Sequence, residues 1–163
     1  MPYKKTSRMV ACAALLAISF AALFSSTSRA SASELDCLAR NIYYEARGEG
    51  EAGMVAVAWV TFNRKHAREF PNTLCGVVYD KRHGVQFSWT VANNRAPHGP
   101  EWRDARRIAA AVHNGTLTRT GIWTNRNIMY YHASHVGGKN RRWFENNLDY
   151  VVSVGDHLFY ADN

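Results

Sequence analysis

The chain has 163 residues, a formal net charge of +7 and three cysteines. Once a leader is set aside, that length leaves room for one ordinary domain. Lys4, Lys5, Arg8 and Arg29 carry four of the positive charges, so the remainder sits at +3. This weakly basic balance suits an anionic partner, and without a dense Lys/Arg run it excludes a nucleic-acid-binding tract.

The first 32 residues read as a secretory signal peptide. A basic start (Lys4, Lys5, Arg8) precedes an apolar run from Met9 to Phe24, and small polar residues follow. Ala30-Ser31-Ala32 fits an A-x-A site, which places cleavage after Ala32, with Ala30 as the second choice. The alternative is a membrane anchor, but the apolar run of 16 residues falls short of the ~20 a spanning helix needs. No stable anchor is therefore expected. Cys12 lies too early in the run to be a lipidated cysteine. The mature domain is expected over 33–163.

Ser33-Glu34-Leu35-Asp36 has the character of a helix start, with Ser33 as the cap and the acids favouring the positive dipole end. Leu35, Leu38, Ala39, Ile42 and Ala46 recur at helical spacing, and Gly48 is a stop. At the helical period, Leu35, Leu38, Ile42 and Ala46 fall within roughly 80° of arc. Glu45 lies at the rim of that stripe, where partial desolvation raises a carboxyl pKa. Ala52 to Phe62 is apolar nearly all round, and its length favours a buried helix over a strand. Asn63-Arg64-Lys65 closes it.

Phe70-Pro71-Asn72-Thr73 opens a short third helix bearing Leu74, Cys75, Val77 and Val78. In an exported chain the even pair Cys37 and Cys75 reads as one disulfide tying the first helix to the third. Two buried free thiols are the alternative. Val85 to Trp89 alternates and is expected to be extended. A further helix runs from Pro100 to His113 and Gly115. Ile128 to Tyr131 is β-prone, and Tyr150 to Tyr160 reads as a hairpin around Gly155-Asp156. Helices first and strands last argue for an α+β domain.

Tyr43-Tyr44-Glu45-Ala46-Arg47-Gly48-Glu49 is the densest polar cluster beside the core. A half-buried Glu45 has the character of a general acid able to stay protonated near neutral pH. Glu49 is a candidate second carboxylate. The alternative makes both acids surface groups paired with Arg47 or Arg64. Seven histidines invite a metal site. However, His132 and His135 lack an evident third ligand and no His-Glu-x-x-His pattern occurs, so neither metal nor cofactor is expected. Nucleophilic catalysis is not expected either, because no Gly-x-Ser-x-Gly elbow is present.

The segment from Leu38 to Arg64, with its Glu-Ala-Arg-Gly-Glu core and Ala-Val-Ala…Asn-Arg helix, resembles the SleB/CwlJ-like cell wall hydrolase family, which includes spore-cortex-lytic enzymes. Phe70-Pro71, Cys75 to Tyr79, Gln86-Phe87-Ser88 and Gly155 to Tyr160 resemble its later blocks. The chain departs from many relatives at Tyr44 and Met54. The resemblance implies a lysozyme-related fold, mainly helical with a small antiparallel sheet toward the C-terminus. It implies Glu45 as the catalytic acid of a lytic transglycosylase acting on peptidoglycan glycan strands, with a 1,6-anhydro product. Such chemistry also needs groove residues. Glu49, Gln86, Ser88, Tyr131 and His132 are the candidates, with Trp89 and Trp123 as stacking faces. Competing expectations are a hydrolase using Glu49 or Glu51 to activate water, and a non-catalytic wall-binding protein. The expected location is the periplasm or the cell wall, with a restraining regulatory protein as a plausible partner.

Overall fold

The computed structural model describes residues 33–82 and 84–162, so the expected signal peptide lies outside the described residues. The described residues from 34 to 162 form one compact unit. Helix α1 spans 33–46. It buries Leu38, Ala39, Asn41, Ile42, Tyr43 and Ala46. Asp36 pairs with Arg40 one turn on at 2.6 Å.

Helix α2 (Gly50–His66) is the central element. Ala56, Val57, Ala58 and Val60 are completely buried, as expected of a helix that is apolar on every side. It begins two residues ahead of the expected Ala52, at Gly50, whose φ of +69° is a conformation that glycine adopts at no steric cost. A buried polar chain fixes α1 against α2. Asn41 Nδ2 donates to Thr61 Oγ1 at 3.0 Å, and Thr61 donates to the Val57 carbonyl at 2.9 Å.

Helix α3 (Leu74–Val78) is short and gains its stability from its surroundings. Thr73 Oγ1 accepts from Gly76 N at 2.9 Å. The Glu34 carboxylate, reaching across from α1, accepts from the N–H groups of Leu74 and Cys75 at 2.5 and 3.3 Å. The expected disulfide joins Cys37 to Cys75, 38 positions apart, so α1 and α3 are fastened both covalently and by a cap. The double variant Cys37→Ser/Cys75→Ser is expected to lose about 3 kcal/mol. Urea unfolding of both proteins, each fitted with its own slope, measures this. An unchanged unfolding free energy would show that the bridge contributes nothing.

Val85 to Trp89 does not form the expected extended segment. Ser88–Thr90 is a 3-10 turn instead. The Thr90 hydroxyl and N–H both take the Phe87 carbonyl, at 2.7 and 3.0 Å. That local bonding replaces a strand ladder. Helix α4 (Gly99–His113) buries Ala105, Ile108, Ala109 and Val112 against α1 and α2. A second 3-10 turn covers Gly121–Thr124.

Strands β1 (Ile128–Ala133), β2 (Asp149–Val154) and β3 (His157–Ala161) form an antiparallel sheet in the order β1-β3-β2. β2 and β3 are the expected hairpin. Between β1 and β2 lies α5 (Gly138–Asn147), which no apolar periodicity announces. Phe144 anchors it, packing on His132 and Tyr160 at 4.6 and 5.3 Å between ring centroids. Alternation along β3, with a register irregularity in β1 between Ile128 and Tyr130, gives the sheet two different faces. Ile128, Phe159 and Ala161 pack with Ala56 and Val60 of α2, whereas His132 and Tyr160 lie under α5.

Candidate active site

Glu45 stands in the last turn of α1 and is half-buried. Its Oε2 accepts a hydrogen bond from the Tyr131 hydroxyl of β1 at 3.1 Å. Burial pushes the Glu45 carboxyl above its ordinary value, while the Tyr131 bond and the Arg64 charge pull the other way. Burial wins, because an ion half removed from water loses more than one neutral donor and a more distant cation return. Tyr131 is itself pushed well above its ordinary value, first by burial and then by Glu45. Its hydroxyl is therefore a persistent donor.

Arg64 is the strongest feature missed in the sequence. It is only 6% exposed. Its Nε donates to the Met129 carbonyl at 2.6 Å. Its guanidinium lies 5.1, 5.5 and 5.5 Å from the ring centroids of Phe70, Phe87 and Tyr130. Desolvation lowers its pKa, opposed by Tyr131, Tyr130, Glu45 and Asp80. A guanidinium nevertheless keeps its charge in proteins. Arg64 thus places a fixed positive charge behind Glu45 without pairing directly to it. An arginine on a helix that is otherwise buried all round was the available signal.

Glu49 bridges two ends of the domain. Its Oε2 accepts from Asp156 N at 2.6 Å, across the tip of the β2–β3 hairpin. A side chain at Gly155 would overlap the Glu49 carboxylate. Gly155 therefore supplies both the close approach and a φ of +57°. This latch ties the hairpin tip to the turn between α1 and α2. His157 on β3 stacks edge-on against Tyr131 with centroids 5.1 Å apart. It is 7% exposed, and burial lowers its pKa against the pull of Glu49 and Asp156. In the sequence His157 stands out only as part of the hairpin.

Trp89 lies on the other flank. Its Nε1 donates to Asn41 Oδ1 at 3.0 Å. Its ring stacks on Tyr44 at 4.6 Å, with Tyr79 at 5.9 Å. Tyr44, directly before Glu45, is fixed by a bond from its hydroxyl to the Arg95 carbonyl at 2.8 Å. An aromatic wall therefore begins one residue from the carboxyl.

None of the remaining candidates is bonded to Glu45 among the described residues. His132 neighbours Tyr131 in sequence and so faces the opposite side of the sheet. Its ring nitrogens bond the Ala133 carbonyl and the Tyr160 hydroxyl at 2.9 and 3.0 Å. Trp123 packs edge-on against Phe159 at 5.4 Å and lines both core clusters. Gln86 donates to Gly84 O at 3.3 Å. Ser88 is exposed, and neither is bonded to Glu45 among the described residues. Glu51, the other candidate for activating water, is paired with Arg107 at 3.0 Å. His132 and His135 gather no third ligand among the described residues.

Tyr131→Phe is expected to move the Glu45 titration further upward, because the lost bond favoured the carboxylate. NMR of the labelled carboxyl carbon reads this directly. An unmoved titration would show that the bond carries no weight in solution.

A helical body built on a buried central helix, with a small antiparallel sheet and one desolvated carboxyl between them, is a lysozyme-related α+β domain. The catalytic domain of the Bacillus cereus SleB protein superposes on it with a TM-score of 0.59 and 26% identity, over 78% of this chain and 88% of that one. The catalytic domain of the germination-specific lytic transglycosylase SleB from Bacillus anthracis gives the same score and identity, over 93% of its own length. The Cell Wall Hydrolase family profile matches residues 48–160, and the chain belongs to that family. It is 42% identical over 129 residues to a spore cortex-lytic enzyme of Bacillus cereus, covering 79% of this chain and 44% of the relative. It is 40% identical over 126 residues to a spore cortex-lytic enzyme of Halalkalibacterium halodurans, covering 77% and 34%. The chain therefore spans less than half the length of these curated relatives. Glu49, Tyr131 and His157 fall inside the matched segment 48–160, and Glu45 stands just ahead of it.

Proposed function

We propose that this chain is an exported peptidoglycan-cleaving glycosidase that works as a lytic transglycosylase with Glu45 as its one acid/base. The observation that carries this reading is the Glu45 carboxyl, whose pKa burial raises and whose oxygen accepts from a fixed hydroxyl donor. In the first step the carboxyl protonates the glycosidic oxygen between an N-acetylmuramic acid (or muramic lactam) residue and N-acetylglucosamine. The bond to C1 breaks, leaving oxocarbenium-like charge on the muramoyl ring and a carboxylate on Glu45. The Tyr131 hydroxyl and the Arg64 charge favour that carboxylate, and the carboxylate favours the cation. In the second step the muramoyl C6 hydroxyl gives its proton to Glu45 as O6 bonds to C1. The carboxyl is restored, the product is a 1,6-anhydro sugar, and no water enters.

The positions of the other acids favour this scheme over hydrolysis. Glu49 is occupied by the hairpin tip and Glu51 by Arg107. A second carboxylate free to activate water is what a hydrolase of this type needs. The Tyr44–Trp89 pair supports a sugar-stacking surface beside Glu45. Export is supported by the signal-like start of the sequence and by a disulfide, which persists in oxidising compartments.

Mass spectrometry of purified peptidoglycan after incubation with the protein tests the proposal. Anhydro-muropeptides are expected. Reducing-end fragments would overturn the transglycosylase step. Binding without any fragments would return the chain to a wall-binding role.

A further inference from the structure

A second cleft lies away from the Glu45 carboxyl, at the far end of α2. It has a volume of about 420 Å³, and its lining includes Asn63, Glu69, Arg119, Arg126, Met129 and Asp162. Two cations and two anions thus share one open space, yet none of the four forms an ion pair with another described residue. Opposite charges around one cleft that do not meet leave room for a ligand bearing both signs.

The walls are built, not incidental. The Arg119 guanidinium is laid over the Trp59 ring at 4.2 Å, and its Nη1 donates to the Trp123 carbonyl at 3.0 Å. Burial and then the neighbouring Arg126 charge push its pKa down. Two guanidiniums close enough to oppose each other favour an anion between them. Asn63 is 3% exposed. Its Nδ2 donates to the Ile128 carbonyl at 2.8 Å. That leaves its Oδ1 buried with no donor among the described residues. A buried acceptor without a donor is a cost that a ligand N–H removes. The cleft also shares its floor with the active site. Asn63 and Ile128 bond on this side of the α2–β1 seam, and Arg64 and Met129 bond beside them.

We infer that this cleft binds the peptide stem of the glycan substrate, a short peptide carrying two carboxylates and one ammonium group. Arg119 and Arg126 take the carboxylates. Glu69 and Asp162 take the ammonium, and the Asn63 oxygen accepts from a peptide or ammonium N–H. The inference rests on the peptidoglycan reading and adds to it a recognition site for the non-sugar part of the polymer.

Calorimetric titration of the protein with N-acetyl-L-Ala-γ-D-Glu-L-Lys-D-Ala tests it directly. Saturable binding is expected, weakened about tenfold or more by Arg126→Glu and by Asp162→Asn, the loss of one charge-assisted contact each. Arg126 is exposed and its side chain makes no described hydrogen bond, so its replacement leaves the fold in place. No saturable heat with the wild-type protein, or equal affinity in both variants, overturns the inference. The companion measurement is kcat/KM on glycan strands with their stems and on strands stripped by an amidase. Arg126→Glu is expected to lower the first about tenfold and to leave the second unchanged. An equal loss on both overturns the assignment. Should the wild-type protein cut neither, the cleavage reading fails, and the peptide titration still decides whether the cleft binds stems.

Discussion

Glu45→Gln is expected to lower peptidoglycan turnover by about 10³-fold, with anhydro products falling in parallel, while making the protein more stable at neutral and alkaline pH. Both effects come from one environment. Burial raises the Glu45 pKa in the folded chain above its unfolded value. The stability this group contributes is complete below the unfolded pKa and fades as pH rises through the folded one. Glutamine never ionises and escapes that loss. Activity should have the same limb, falling as pH rises through the folded pKa because the first step needs the protonated acid. Rates and thermal midpoints of both proteins across pH 4 to 9 provide the check. A glutamine variant that retains turnover would remove Glu45 from the chemistry. One that is inactive but less stable at high pH would contradict the desolvated setting.

Arg64→Ala is expected to cost on the order of 3 kcal/mol, from a vacated space among rings and a carbonyl left without its donor. The rings are Phe70, Phe87 and Tyr130, and the carbonyl belongs to Met129. The same change removes a positive charge that favours the Glu45 carboxylate, so the Glu45 titration should move up. Denaturant unfolding measures the first effect and the alkaline limb of activity the second. Because Arg64 has no direct carboxylate partner among the described residues, Arg64→Lys should recover part of the charge effect but little of the stability. An ammonium cannot reproduce a planar group held flat between rings. A stability loss with an unmoved alkaline limb would assign Arg64 to packing alone.

Where local chemistry settled a structure, the sequence was readable. The all-round apolar stretch after Gly50 could only be buried, and its length made it a helix. Gly155-Asp156 between β-prone runs announced the hairpin. Paired cysteines behind a signal-like start announced the bridge. Glu45 was visible as a carboxyl at the rim of a helix stripe. Where distant partners decided, the sequence was mute. The alternating run through Phe87 had no strand to pair with, and Thr90 folded it into a turn. Helix α5 is held mainly by Phe144 among polar neighbours, too little for a periodic signal. Tyr131 and His132 were both placed in the groove, although adjacent strand residues face opposite ways. That rule alone required one of them to leave, but which one depended on where the helices lay. Trp123 shows the usual fate of a tryptophan, drawn inward by its area.

The hydrogen bonds that assemble the site join positions far apart in the chain. Tyr131 reaches Glu45 across 86 positions and Asp156 reaches Glu49 across 107. Every helix, and the carboxyl itself, is made before the last strand leaves the ribosome. A chain interrupted before Gly155 carries the acid but lacks the strand that seats its tyrosine. The seating of Tyr131 against Glu45 therefore waits on β3, and a copy clipped within that strand loses the pairing that holds β1 in place.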